Sequence, residues 1–342
     1  MKKSIIIFAA IVMLSGATHA ADWDFYGSAN ISTYYEKVEA SGTDTTQFAM
    51  GLQDNSRIGA EVKVSDAVSG RFEYGAENGK ADVRYLYGVW NFGGGSLMVG
   101  QHEGPLRHPG SDQVYATDAG LGGWGEMSSP RKAQLKLMID TFRLALRAPS
   151  ADYNDGINNV TSNTEVKIPS IEAKYRFVGD NYNLGISAGY GYFKVGTANQ
   201  EGISSYVLGM GGDVTLGGFI LGANLFGGEN VGNLVDTDVN GQDTGRGLAQ
   251  YDGTSVIDNK ALAWKIHATY VFNDMFGIQA GYGYMRTKLT NQAKDEVQSY
   301  YVQVPITLAS GVSIVPEIGT LDYKEAGQSR TDYLGAKWQI EF

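Results

Sequence analysis

Apolar side chains recur with a period of two from one end of this 342-residue chain to the other. In DWDFYGSANISTYYEKVE, Asp22 to Glu39, the odd positions hold Trp23, Phe25, Ala29, Ile31 and Tyr35. The even positions hold Asp22, Asp24, Ser28, Asn30, Ser32 and Glu36. That alternation predicts a β-strand with one apolar and one polar face. Segment length narrows the choice further: soluble strands usually run about five or six residues, whereas a tilted strand crossing a bilayer needs roughly nine to eleven. Long alternating segments recur at Leu262–Phe272, Phe276–Tyr284, Tyr300–Leu308 and Leu334–Phe342.

The connections predict the architecture. Short turns fall at Ser65–Gly70, Gly93–Gly95, Ile139–Thr141, Gly179–Asp180, Gly217–Gly218, Asn273–Asp274 and Ser310–Gly311. Gly, Asn and Asp tolerate the positive φ that tight hairpins require. Longer polar segments alternate with them near 40–44, 78–81, 104–129, 150–163, 196–201, 230–257, 290–295 and 325–329. Seven short turns and eight long loops join sixteen strands, with both termini at the short-turn end. The expected fold is all-β: a 16-stranded antiparallel transmembrane β-barrel whose closure leaves no unpaired edge in the hydrocarbon.

Composition excludes other classes. With no Cys, the chain holds no disulfide scaffold, thiolate metal site or thiol nucleophile. A net charge of -10 argues against nucleic acid as a partner. Residues 1–20 carry Lys2 and Lys3, an apolar run of about ten residues, and Ala17-Thr-His-Ala20, the pattern of a cleaved secretory signal peptide. The expected mature unit is therefore 21–342. A soluble β-sandwich would need a polar exterior. Here Trp23, Phe25, Phe177, Tyr182, Phe272, Phe276, Trp338 and Phe342 face outward near the short-turn end, and Tyr35, Tyr192, Tyr284 and Tyr300 near the other, as in the aromatic girdles of membrane barrels.

Three stretches and the C-terminus carry a family resemblance: FYGSANISTYYE at the start, NSRIGAEVKVSD at 55–66, VRYLYGVWNFGGGSLMVGQHEGPL at 83–106 and the closing YLGAKWQIEF. The chain resembles Gram-negative general (trimeric) outer-membrane porins over its whole mature length. The resemblance implies a homotrimer, passive diffusion of small hydrophilic solutes and ions, a third loop folded into the lumen, and no cofactor. It also implies contact with outer-membrane lipid and lipopolysaccharide. Phe342 resembles the family's signal to the barrel-assembly machinery. In two places the chain departs from its relatives: it has Gly100-Gln101-His102 where many carry Gly-Arg-Gln, and it lacks the Pro-Glu-Phe-Gly signature in the third loop.

The residues point independently to the third loop, 104–129. Its length marks it as functional, and it carries Asp112, Asp118 and Glu126. The polar parity of nearby strands is basic: Arg57, Lys63, Arg71, Arg84, Lys132, Lys136, Arg143, Arg147, Lys174 and Arg176. A charge on the lipid face costs about 2–4 kcal/mol at midplane, so these side chains belong in the lumen. A basic wall facing an acidic loop would set a transverse field that favours polar solutes. Leu86 and Trp90 also fall on the nominal lumen parity and are expected beneath the folded-in loop. The outer loops carry Asp152, Asp155, Asp236, Asp238, Asp243 and Asp252 against Arg246, a solvated surface or a site for divalent ions that bridge lipopolysaccharide.

Signals for catalysis are poor. Gly185-Ile-Ser-Ala-Gly189 matches G-x-S-x-G but lies within a strand, and His102-Glu103 with His108 fits no zinc spacing. The expected function is therefore an outer-membrane diffusion channel rather than an enzyme. The alternatives are a substrate- or anion-selective channel of the same fold, or a non-conducting barrel serving as adhesin or enzyme.

Overall fold

A computed structural model describes residues 21–40, 42–76, 79–115, 120–156, 159–197, 200–237, 247–325 and 328–342. Residues 1–20, assigned above to a signal peptide, lie outside the described residues, as do Asp118, Asp238, Asp243 and Arg246. Within the described residues sixteen strands form the barrel. They are β1 (Asp22–Ala40), β2 (Thr43–Leu52 continuing as Arg57–Lys63), β3 (Val68–Gly75), β4 (Asp82–Asn91), β5 (Ser96–Glu103) and β6 (Arg131–Ile139). After them come β7 (Phe142–Arg147), β8 (Ser170–Gly179), β9 (Tyr182–Val195), β10 (Glu201–Leu216) and β11 (Phe219–Glu229). The last five are β12 (Asn259–Val271), β13 (Gly277–Leu289), β14 (Asp295–Gln303 continuing as Ile306–Ala309), β15 (Val312–Tyr323) and β16 (Arg330–Glu341).

Each strand pairs antiparallel with its sequence neighbours, and β1 returns to β16 from Ser28↔Glu341 to Glu39↔Arg330. Phe342 extends this seam: Gly27 N donates to Phe342 O at 2.6 Å, and Phe342 N to Gly27 O at 3.0 Å. No helix is long and apolar enough to cross a membrane. The outward parity is as read from the sequence, with Trp23, Phe25, Phe177, Phe272, Trp338 and Phe342 exposed around one end and Tyr35 and Tyr300 towards the other. The loop expected at 40–44 is shorter, because β1 and β2 stay paired out to Ala40↔Thr43. The third loop runs one residue further, to Pro130.

Leu86 and Trp90 correct the strict two-residue count. The β3–β4 register shifts between Glu73↔Tyr85 and Tyr74↔Val83, leaving Arg84 as an extra residue. Such a bulge reverses the parity of all that follows. Tyr85 and Tyr87 therefore turn inward against His102, with ring centroids 5.1 and 5.2 Å away. Leu86 and Trp90 turn outward and are exposed, not covered by the third loop.

The described parts of the third loop, 104–115 and 120–130, fold into the barrel and lie along the inner faces of β8–β16, reaching β1 at Tyr34 and Glu36. Gln113 Nε2 donates to Tyr333 Oη at 2.7 Å, Val114 N to Glu317 Oε2 at 2.8 Å, and Asn224 Nδ2 to Gly125 O at 2.5 Å. The sixth loop joins it, with Asp236 N donating to Ser128 O at 3.0 Å. Together they bury Leu106, Trp124, Met127, Val231 and Leu234 against Val207, Phe226, Ala263, Met285 and Tyr323, an apolar core inside the lumen. Two glycines allow the approach. A Cβ on Gly283 would lie 2.1 Å from Trp124 O, and one on Gly125, at φ +81°, 2.1 Å from Trp264 O. Above this layer, Tyr153–Asn154 and Asn159–Val160 of the fourth loop form a small sheet with Gln250–Tyr251 and Val256–Ile257 of the sixth.

One buried cluster clamps both ends of the third loop to the wall. Glu172 on β8 pairs with Arg147 on β7 and accepts from Ser129 Oγ at 3.1 Å and Leu106 N at 3.5 Å. Arg147 also bonds Pro130 O. Breaking a buried pair strands the remaining charge at a cost of about 3–5 kcal/mol. Glu172→Gln is thus expected to loosen the loop, seen as noisier single-channel current and faster proteolysis within 104–130; a quiet, protease-resistant variant would contradict this. Leu86→Lys is expected to lower stability against urea by about 2–4 kcal/mol in lipid vesicles, whereas a lumen position would take Lys without loss.

Candidate pore lining

Because the loops cover the inner faces of β8–β16, open space remains on the opposite side. A cavity of about 880 Å³ opens at the short-turn end between β1 and β7, lined among others by Asp24, Glu61, Arg71, Tyr87, Asn91 and Arg143. A second, of about 640 Å³, lies beside it against Tyr26, Arg57 and Phe342.

Most of the predicted cations are engaged on this side. Arg57, Arg71 and Arg84 converge on Glu73, at 3.9, 2.8 and 2.6 Å. Tyr26 Oη donates to the same carboxylate at 2.8 Å. Glu73 is 1% exposed, and so many donors are what make a buried carboxylate tolerable. Arg71 also reaches Glu61 at 3.2 Å and lies 4.7 Å from the centre of the Tyr85 ring, a cation–π distance. Three guanidiniums thus stand against two carboxylates. Lys63 sits at the rim, 2.8 Å from Asp66.

Around the root of the third loop, Lys136 is buried and donates to Glu103 O at 2.9 Å, while Lys132 bonds Ser150 Oγ. Glu103 gathers Tyr85 Oη at 2.6 Å and Arg107 at 2.7 Å. Arg147 belongs to the clamp. Among the described residues Arg143, Lys174 and Arg176 bond only neutral acceptors: the carbonyls of Asp140 and Phe142, the carbonyl of Arg107, and Asn183 Oδ1.

The loop acids lie apart from that wall. Glu126 is buried 3.3 Å from Lys265 on β12 and accepts from Ser111 N at 3.2 Å. Asp112 is exposed and accepts from Gln279 Nε2 on β13 at 2.8 Å. Sequence reasoning counted the cations and missed Glu73, Glu103, Glu172 and Lys265, although each shares the inward parity of the groups it binds. Glu73 stands two residues from Arg71 on one strand, a signal that was available.

The structure brings together one Ser–His pair. His108 Nε2 lies 2.8 Å from Ser187 Oγ of the G-x-S-x-G stretch. Both are buried, and burial, reinforced by the Lys174 charge, pushes the His108 imidazole down to about 3. Among the described residues no carboxylate hydrogen-bonds the ring, and the pair joins the third loop to β9. Among the described residues no group of three His, Asp or Glu could hold a metal ion.

No curated protein matches the chain. Among solved structures, the outer membrane channel DcaP of Acinetobacter baumannii superposes with a TM-score of 0.73 at 16% identity, covering 94% of this chain and 97% of that one. An anion-selective porin from Comamonas acidovorans gives 0.62 at 11% identity, covering 94% and 100%. The trimer form of OmpT, an outer membrane protein of Vibrio cholerae, gives 0.59 at 16%, covering 94% and 100%. The family profile of Gram-negative porins matches residues 8–326. With a closed sixteen-stranded barrel and a loop folded into its lumen, this chain belongs to the Gram-negative porins and forms a channel of the outer membrane.

Proposed function

We propose that this porin passes small hydrophilic solutes by diffusion, favours anions, and works as a homotrimer. One observation carries the anion preference: among the described residues Arg143, Lys174 and Arg176 bond only neutral acceptors, while the loop acid Glu126 is paired to Lys265. Beside the third loop the groups without an opposite charge among the described residues are these three cations and one acid, Asp112, so the balance is positive, and a positive lumen raises the local anion concentration. The relative from Comamonas acidovorans is described as anion-selective, in line with this reading.

The trimer is supported by strand length. The wall from lower β2 to β7 is short, with seven residues in Arg57–Lys63, eight in β3 and β5, and six in β7, against thirteen to sixteen in β9, β10, β12 and β13. At about 3.4 Å per residue and a tilt near 45°, eight residues rise only ~19 Å, short of the ~25 Å apolar band of a membrane barrel. Exposed Ile58, Val68, Trp90 and Val99 on that face suit a second and third copy of the chain as the cover. The related OmpT structure is described as a trimer form.

We further read Phe342 as the signal to the assembly machinery, since its ring packs on Gly27 and its backbone completes the β1–β16 seam. Cleavage after Ala20 fits a first strand that begins at Asp22.

In a planar bilayer under a potassium chloride gradient, the reversal potential is expected to favour chloride, and a potential favouring potassium would contradict the reading. Single insertions are expected to close in three equal steps; one step alone would refute the trimer. Glu73→Gln uncovers the arginines and is expected to raise chloride preference about two- to fourfold, a change in local potential of order kT.

A further inference from the structure

We propose that Arg143, Lys174 and Arg176 form a binding site for a solute carrying a doubly charged oxyanion, such as a phosphate monoester. The proposal rests on the anion-favouring lumen described above and assigns it a discrete site. Lys174 and Arg143 are direct cross-strand partners on β8 and β7, and Arg176 follows Lys174 on the same face. Lys174 lies in the field of Arg176, and so does Arg143. Like charges directly opposite each other destabilise a sheet. Elsewhere in this lumen the same problem is met with an acid: Glu73 sits amid three arginines, Glu172 beside Arg147, Glu126 beside Lys265.

Here no acid pairs directly among the described residues, and Asp140 acts on Arg143 only through its field. None of the ion pairs among the described residues includes Arg143, Lys174 or Arg176. The nearby acids are otherwise placed. Glu172 is taken by Arg147, Glu103 by Arg107, Asp213 stands behind Asn183 at 3.4 Å, and Asp140 offers Arg143 its backbone carbonyl.

The three heads are nonetheless held in place. Lys174 Nζ donates to Arg107 O at 2.5 Å, Arg176 Nε to Asn183 Oδ1 at 2.9 Å, and Arg143 Nη1 to Phe142 O at 2.8 Å. Arg176 spends one of its five N–H donors in this way. Its terminal fork and the second terminal nitrogen of Arg143 make no hydrogen bond among the described residues, and such forks match the edge of a carboxylate or phosphate. None of the three side chains is buried, and Arg143 lines the 880 Å³ cavity, so a solute can reach them. Three positive charges favour a dianion over a monoanion, which separates a phosphate-bearing solute from chloride or acetate.

The test is titration calorimetry of inorganic phosphate into the detergent-folded full-length protein at constant ionic strength, which reads binding whether or not the barrel conducts. Phosphate is expected to bind one site per chain with a dissociation constant on the order of a few millimolar. The double variant Lys174→Gln/Arg176→Gln should weaken it at least tenfold. Lys294→Gln, which removes a cation paired with Glu296 near the start of β14, should leave it unchanged, with normal folding of all variants checked by heat-modified mobility. In bilayers, phosphate should reduce chloride current saturably in the wild type and not in the double variant. Failure of phosphate to bind, equal binding of acetate, or an unchanged constant in the double variant would each overturn the site. A barrel that binds phosphate but favours potassium would overturn the anion-selective reading and leave the site standing.

Discussion

A backbone amide cannot be left unpaired in hydrocarbon, and that constraint organises this molecule. It forces every strand to find two neighbours, so β1 must return to β16 and the chain must close. Closure then sorts the side chains. Each strand alternates between lipid and lumen, and with the outside committed to Leu, Ile, Val and aromatic residues, the inside is where charge is cheap. The final residue takes part directly, because the backbone of Phe342 bonds Gly27 in both directions.

A closed barrel of this width would be a wide tube, and here most of one side is filled. The third and sixth loops lay an apolar core around Trp124, Met127 and Leu234 against small or apolar wall residues such as Ala263 and Gly283. Polar anchors fix its edges, with Glu172 and Arg147 at the base, Glu126 to Lys265, and Glu317 accepting from the backbone of Val114 and Tyr115. Two loops that differ in sequence thereby act as one internal layer, and the open cavity at the short-turn end lies against β1–β7. Function is set by which charges on that side have partners. The Glu73 cluster sets two carboxylates against three guanidiniums, while the β7–β8 cluster has no ion-paired acid among the described residues.

Much of this was legible in the sequence. Strand count, the two kinds of connection and the outward faces follow from a period of two and the placement of Gly, Asn and Asp, while the inward third loop rests on the family resemblance and on the loop's length. The bulge at Arg84 was not, because a single extra residue leaves the composition of β4 unchanged while reversing Leu86 and Trp90. Nor was the pairing of the charges. Parity places Arg57, Arg71 and Glu73 on one face but does not reveal that three cations share one acid, since that depends on which strands become neighbours and at what height. The loop anchors were hidden for the same reason, with Glu126 and Lys265 lying 139 residues apart.

The central claim is that the water path follows β1–β7 while the opposite half of the lumen is sealed by the chain's own loops. The chain has no Cys, so single cysteines can be introduced without background. The direct measurement is the rate at which a small anionic thiol reagent modifies Asn91→Cys on the open side, compared with Ser299→Cys behind the third loop. The account predicts rapid modification and a stepwise loss of current for the first, and no reaction on the same timescale for the second. Equal reactivity, or faster reaction at Ser299→Cys, would contradict it.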